Sequence, residues 1–453
     1  MLFQDNGVYI RCFVNIVRTT YPKENNFMKL FIKKLRVTTM LHVTARAVTP
    51  RRLQITLGTH LQRTLTADWI IDNADESRDP TTNQKIINAG FDISKALEIA
   101  NVKTNKQHLC IEWNNNTQST IDLNWLQHTL QSSASSSSSS ISNFDPLSSA
   151  LRSYDKIPRI SYDSVINTEQ GIHQWTKELI SAGVCIIENA PIEDHIVTKT
   201  ASRIAKPTET LYGSIFDVRT EINPINIAYT NAGLRPHQDL AYYESPPFIQ
   251  MLHCMQFDKA VTGGNSTFVD TFVLADLLRQ ENVEAFNVLC TIPATFQKDH
   301  VDRENPAQFF YRRPHIVTNG SNDVNQVFWS PAFEGPLHMD DATALSLGYQ
   351  SEADAVEAYY EGYRAFTNLL MNQDIMNDWE LSFRANEGEI LTFNQRRMLH
   401  GREKFQGSGQ RHFQGCYIGE GEFLSKHRVL DLKYGNGIRG IESVARVGNG
   451  CHR

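Results

Sequence analysis

His237-Gln238-Asp239 and a lone His400, 161 positions beyond that aspartate, constrain this chain more than any other feature. Two imidazole nitrogens and one carboxylate oxygen can cap one face of an octahedral Fe(II), leaving three adjacent positions open for reacting ligands. The tripeptide is weak by itself, because His-x-Asp recurs at His300-Val301-Asp302 and His338-Met339-Asp340. Context selects the first copy. Pro246-Pro247 and the strand-like run Ile249–Met255 follow it, then a turn at Thr262-Gly263-Gly264-Asn265 and a returning strand at Ser266–Asp270. Near the C-terminus, Glu380–Phe383 and Glu389–Phe393 flank Asn386-Glu387-Gly388, a second hairpin signal, with His400 just past it. Arg411 comes eleven residues later, and its planar guanidinium can grip a carboxylate with two parallel hydrogen bonds.

This order of signals predicts a mainly β fold with flanking helices. In a double-stranded β-helix, or jelly roll, an early strand supplies His-x-Asp and a late strand the distal His. Upstream, Arg51–Asp72 alternates loosely, and Leu109–Trp113 leads on to Ile121–Leu126, which suggests a small β-rich N-terminal domain over 50–130. The serine run 135–140 marks a linker over 131–155, since such a tract gains too little from burial to offset its ordering entropy. The catalytic domain is expected over 156–437, with a tail at 438–453. Within it, 168–182 reads as a helix and Gly183–Ile187 as a buried strand. Glu352–Met371 is the longest helix candidate, its Ala355, Tyr359, Tyr363, Phe366 and Leu370 forming a stripe suited to the core or a subunit contact.

Charge is distributed unevenly. Residues 1–50 hold eight Lys or Arg and two acids, so a chain of net charge -6 carries -12 in the remainder. A body that acidic excludes nucleic acid as an expected partner. The acid-poor stretch Asn25–Ala67 and the basic amphipathic Met28–Arg36 give 1–49 the character of a mitochondrial transit peptide; the alternative location is cytoplasmic. No apolar run approaches the roughly 20 residues of a membrane helix, so no membrane partner is expected. Seven scattered Cys without a Cys-x-x-Cys pair argue for a reduced, intracellular protein.

Together with Leu252-His253-Cys254, Thr262–Ser266, Val269-Asp270, Leu399-His400-Gly401-Arg402, Gly415-Cys416-Tyr417 and Tyr212-Gly213, the tripeptide resembles the gamma-butyrobetaine and trimethyllysine dioxygenase family. These are 2-oxoglutarate- and Fe(II)-dependent oxygenases of the taurine-dioxygenase-like group. The resemblance implies iron on His237, Asp239 and His400, and 2-oxoglutarate as co-substrate held by Arg411 with help from Ser266. It also implies dioxygen as oxidant, ascorbate as reductant, a small-molecule substrate and a homodimer. Tyr212, Phe216 and Tyr417 fall on positions of an aromatic cage for a quaternary ammonium, and Asn226 and Tyr229 where the substrate carboxylate is held.

Several residues depart from the family pattern. Ala74–Asp79 and Thr117 stand where the N-terminal module usually ligates zinc, which implies loss of that site. Phe216 replaces a Trp, Leu240 a Tyr, and Phe328–Pro336 a substrate-binding strand. The expected function is hydroxylation of gamma-butyrobetaine or trimethyllysine in carnitine biosynthesis. The alternatives are hydroxylation of another small molecule, as in secondary metabolism, and an inactive binding relative.

Overall fold

The computed structural model describes residues 43–57, 61–82, 84–87, 89–90, 92–132, 154–219, 231–302, 306–319 and 322–435. The basic segment 28–36, the serine run and the tail 438–453 lie outside them. The chain divides into two compact units, Met1–Leu130 and Gln131–Arg453. Among the described residues, no helix is long and apolar enough to cross a membrane.

The smaller unit holds two three-stranded antiparallel sheets, Val43–Thr49/Arg52–Leu57/Leu61–Thr66 and Ile99–Thr104/His108–Trp113/Gln118–Asp122. Period-two alternation drives them: Leu53 and Ile55, then Leu109, Ile111 and Trp113, point inward and are buried. Each sheet ends abruptly in a helix. Thr66 accepts from the Trp69 amide at 3.3 Å and Asp122 from the Trp125 amide at 2.8 Å. These side-chain caps convert Ala67–Asn73 and Leu123–Ser132 to helix, where an unbroken β pattern was expected.

The larger unit is built on two sheets. The six-stranded one runs Arg159–Ser161, Val184–Glu188, Ile390–Asn394, Ile249–Phe257, Arg411–Ile418, Phe216–Val218. The four-stranded one runs Leu234–His237, Met398–Arg402, Ser266–Asp270, Glu380–Phe383. All pairings are antiparallel except the first, between Arg159–Ser161 and Val184–Glu188. Val184, Ile186, Leu391, Phe393 and Phe413 of one sheet share a core with Phe268, Leu381 and Phe383 of the other. Intervening residues such as Cys185 and Ile187 face the helices Tyr162–Asn167, Glu169–Ser181 and Glu420–Tyr434. Behind the smaller sheet, Val269 and Leu399 meet Thr271–Glu281, Val283–Thr291 and Glu352–Met371.

Helix and strand thus take nearly equal shares, and the expectation of a mainly β chain understated the helices. Both expected hairpins also differ. Ile249–Phe257 and Ser266–Asp270 belong to different sheets, as do Glu380–Phe383 and Ile390–Asn394. Each turn carries the chain from one sheet to the other. At the first, Thr262-Gly263 pairs with Phe405-Gln406. Gly263 and Gly264 have φ of 78° and 75°, and a Cβ on Gly263 would lie 2.3 Å from the Lys404 carbonyl oxygen. The helices expected at 168–182 and 352–371 form at Glu169–Ser181 and Glu352–Met371, and the expected buried strand at Val184–Glu188. On the long helix Ala355, Tyr359 and Phe366 are core residues.

Candidate active site

His237 ends its strand directly opposite His400, which in turn lies opposite Phe268 on the next strand. The ladder brings the two imidazoles together, ring centroids 4.4 Å apart. Asp239 follows just beyond the strand. Leu240 adopts φ of 59°, a left-handed conformation that strains a branched side chain and turns the chain immediately after the aspartate. The Asp239 amide donates to Gln395 Oε1 at 2.7 Å. Gln238 is clamped from the other side: its amide donates to the Trp329 carbonyl at 2.9 Å, and Ser330 Oγ donates to the Gln238 carbonyl at 2.7 Å. A ligand atom from each of His237, Asp239 and His400 falls within 4.8 Å of the others, the arrangement one metal ion needs.

Protonation of His400 and Asp239 suits that use, whereas His237, although burial lowers it, is raised by the Asp239 hydrogen bond and charge. The His400 imidazole is pushed down to about 3 by burial and by the neighbouring His237, and so is neutral. His237 Nδ1 lies 2.8 Å from the Arg235 carbonyl, which fixes the tautomer that leaves Nε2 as a ligand atom. Burial alone would raise the Asp239 carboxyl, but the His237 hydrogen bond, both imidazoles and Tyr417 hold it well below the usual carboxylate range. Its Oδ2 accepts from Gln250 Nε2 at 2.9 Å and Tyr417 Oη at 2.8 Å.

One pocket contains these three residues together with Tyr212, Phe216, Gln250, Ser266, Arg402, Arg411 and Tyr417. Every expected site residue that is described therefore lines it; Asn226 and Tyr229 lie outside the described residues. Arg411 opens the strand Arg411–Ile418 and is buried, its Nε donating to the Gly264 carbonyl at 3.1 Å. Its guanidinium lies 4.2 Å from the Phe413 ring centroid. Burial and the charge of Arg402 pull it down to about 9. Arg402 itself falls to about 10 through burial. Two buried guanidinium groups side by side make a seat for a dianion. Ser266 sits opposite Arg402 in the ladder.

Phe216, on the edge strand, stacks on Tyr417 at 5.0 Å. Gly415 permits this approach, since a Cβ there would lie 2.4 Å from the Phe216 ring. Leu240 is buried and does not line the pocket, and neither does any residue of 328–336. The other two His-x-Asp copies do different work: Asp340 caps Thr343 at 2.7 Å, and Asp302 is exposed. Sequence reasoning gave no role to Arg402 or Gln250. For Arg402 the signal was period two, which puts it on the same strand face as His400.

The taurine catabolism dioxygenase TauD, TfdA family pattern matches residues 144–417. Gamma-butyrobetaine dioxygenase of Pseudomonas sp. (strain AK-1) is 30% identical over 275 residues, 60% of this chain and 66% of that protein. Dioxygenase str8 of Strobilurus tenacellus is 29% identical over 282 residues, 58% of this chain and 60% of that protein. Gamma-butyrobetaine dioxygenase of Homo sapiens is 24% identical over 405 residues, 86% of this chain and the whole of that protein. The family pattern spans both sheets and every pocket residue described above, and the chain belongs to the TauD, TfdA dioxygenase family.

Proposed function

We propose that this chain is a 2-oxoglutarate- and Fe(II)-dependent dioxygenase that hydroxylates a small molecule. The observation that carries this reading is the convergence of His237, Asp239 and His400 in a pocket that also buries Arg411. Among the described residues no carboxylate lies within ion-pair distance of Arg411, so the donor set fits an iron ion beside an anionic co-substrate. Iron and 2-oxoglutarate, when bound, supply oxidative decarboxylation to succinate coupled to insertion of an oxygen atom into a C–H bond. The chain does the rest. Tyr417 and Gln250 orient the Asp239 carboxylate. Arg411, with Ser266 and Arg402 beside it, seats the distal carboxylate. Phe216 and Tyr417 exclude water from one wall.

The names of the relatives support gamma-butyrobetaine or trimethyllysine as first candidate substrates, and with them a place in carnitine biosynthesis. A second reading, hydroxylation of another small molecule, is favoured by Phe216, which lines the pocket where the resemblance expects a Trp. The two-sheet core with chain crossings at Thr262–Asn265 and Asn386–Gly388 supports a double-stranded β-helix. We also propose a separate β-rich module that begins at Val43 rather than at 50, because the strand Val43–Thr49 pairs with Arg52–Leu57, and 156–437 as the oxygenase domain, supported by the division after Leu130. The mitochondrial location and the homodimer are proposed as well, the first from the basic N-terminus and the second from family resemblance.

The test is succinate formation with Fe(II), 2-oxoglutarate and ascorbate, in the presence of gamma-butyrobetaine, trimethyllysine or neither. Strong stimulation by one compound supports the carnitine assignment. Equal slow turnover in all three keeps the dioxygenase and discards that assignment. No succinate under any condition overturns the reading.

A further inference from the structure

The two side chains that hold Asp239 are neighbours in one ladder. Gln250 of Ile249–Phe257 lies directly opposite Tyr417 of Arg411–Ile418, so the pair reaches the pocket side by side. Each is 2% exposed. Gln250 Nε2 donates to Asp239 Oδ2 at 2.9 Å, and Tyr417 Oη donates to the same oxygen at 2.8 Å. The Oδ1 atom lies 3.5 Å from His237 Nε2, and Oδ2 lies 3.7 Å from His400 Nε2. Distance alone therefore allows both carboxylate oxygens to reach one ion seated beside the imidazoles.

The glutamine is unfavourable for the fold itself. Its Oε1 is buried and has no hydrogen-bond partner among the described residues, a penalty that an apolar side chain of the same length would not carry. What distinguishes the glutamine from such a side chain is the bond to Asp239. A carboxylate oxygen offers about two acceptor sites, so two donors saturate Oδ2 and leave Oδ1 as the available ligand atom.

We propose that Gln250 and Tyr417 are positioning residues that hold Asp239 to a one-oxygen grip on the metal, through Oδ1, and so keep a coordination position free for the co-substrate. This inference rests on the iron and 2-oxoglutarate reading given above. Three protein atoms leave three positions of an octahedral ion open. A second Asp239 oxygen would leave two, one short of a keto acid bound at two points together with dioxygen. Tyr417 then has two tasks. Its ring stacks on Phe216 in the pocket wall, while its hydroxyl is committed to the metal ligand. A substrate on that wall meets the ring and not the hydroxyl.

The test uses the full chain under anaerobic conditions with Co(II) in place of Fe(II). Calorimetry gives the affinity for Co(II) alone, and then for the non-reacting analogue N-oxalylglycine at saturating Co(II). Tyr417→Phe keeps the ring and its stack, and Gln250→Met keeps the length of the side chain. Each should weaken N-oxalylglycine about tenfold, the size of one hydrogen bond to a charged group, and the double variant should lose more. Affinity for Co(II) should stay within about threefold, because a second oxygen replaces what orientation is lost. Infrared difference spectra of protein labelled with 13C-aspartate provide a separate readout. The splitting between the two carboxylate stretches should narrow on adding Co(II) to the double variant and not to wild type. Unchanged analogue binding in the double variant overturns the proposal. So does a parallel fall in Co(II) and analogue affinity, which marks a merely structural role. A wild type that takes up Co(II) and binds no N-oxalylglycine overturns the 2-oxoglutarate reading, and the proposal with it.

Discussion

Replacing Arg411 with methionine should stabilise the ligand-free chain while crippling its use of 2-oxoglutarate. Burial and the neighbouring Arg402 hold the Arg411 guanidinium down at about 9. A displacement of that size from an ordinary arginine corresponds to roughly 4–5 kcal/mol of unfavourable burial. The penalty is fully present at neutral pH, where the group is charged both folded and unfolded, and it is relieved only as the pH rises through 9. Methionine removes it and keeps most of the apolar stem that packs on Phe413 and Phe257. Two losses offset the gain: the hydrogen bond to the Gly264 carbonyl, about 1 kcal/mol, and the cation–ring contact, about 1 kcal/mol. The net expectation is about 2–3 kcal/mol in favour of the variant, a rise of roughly 3–5 °C in melting temperature for a domain of this size.

With 2-oxoglutarate the sign reverses. Losing one partner of a buried charge pair costs about 2–5 kcal/mol, and Arg402 beside the site keeps the loss at the low end. At about 2–3 kcal/mol the KM for 2-oxoglutarate rises roughly 30- to 150-fold. Melting curves of both proteins, without and with the non-reacting analogue N-oxalylglycine, read both effects in one experiment. A variant that melts earlier than wild type and keeps its co-substrate KM would refute the assignment of Arg411 as a strained, pre-placed anion seat.

Three further outcomes follow from the same geometry. His400→Ala removes one of three converging ligands, and the chain should then lose stoichiometric iron on desalting as well as turnover; full iron retention by metal analysis would exclude the ligand set. Asp270→Asn leaves Arg397 buried without its charge partner, 2.7 Å away, and should cost about 3–5 kcal/mol in urea unfolding; a change under 1 kcal/mol would show that water reaches the pair. His315 is fully buried between the Phe328 carbonyl and the Tyr359 hydroxyl, and burial pushes it down to about 4. The fold prefers it neutral, so stability should fall as pH drops below 6.5, with about 3 kcal/mol lost by pH 4; His315→Asn should lack that component of the pH dependence.

What was legible in the sequence differs by kind of residue. The convergence of His237, Asp239 and His400 was, because imidazole and carboxylate side chains in that order are the donors a metal ion draws on. The helix Glu352–Met371 was legible to its last residue, with Ser351 capping Asp354 and buried positions at helical spacing. The turns were found and their partners mistaken. Gly263-Gly264 and Gly388 report a reversal through positive φ, but φ carries no information about which strand receives the chain. That choice belongs to side chains: Leu391 and Phe393 face the shared core while Ile390 and Thr392 face the helices, Thr392 accepting from Trp175 Nε1, so both faces of this strand are buried. The helices after Thr66 and Asp122 were missed because a capping side chain overrides β propensity within one residue.

The division between reaction and substrate has the same physical root. His400 and Arg411 sit on strands paired on both sides, and His237 is set opposite His400 across the ladder of its edge strand. Gln238 and Gln395 tie Asp239 to that frame. Tyr212 stands in a turn, and Phe216 on a three-residue strand paired on one side only. Changing an aromatic there costs local packing and leaves the core ladders intact, so the scaffold constrains the wall far less than the metal site. The iron chemistry can therefore be inferred from the frame, whereas substrate identity depends on a few weakly constrained side chains and their charges.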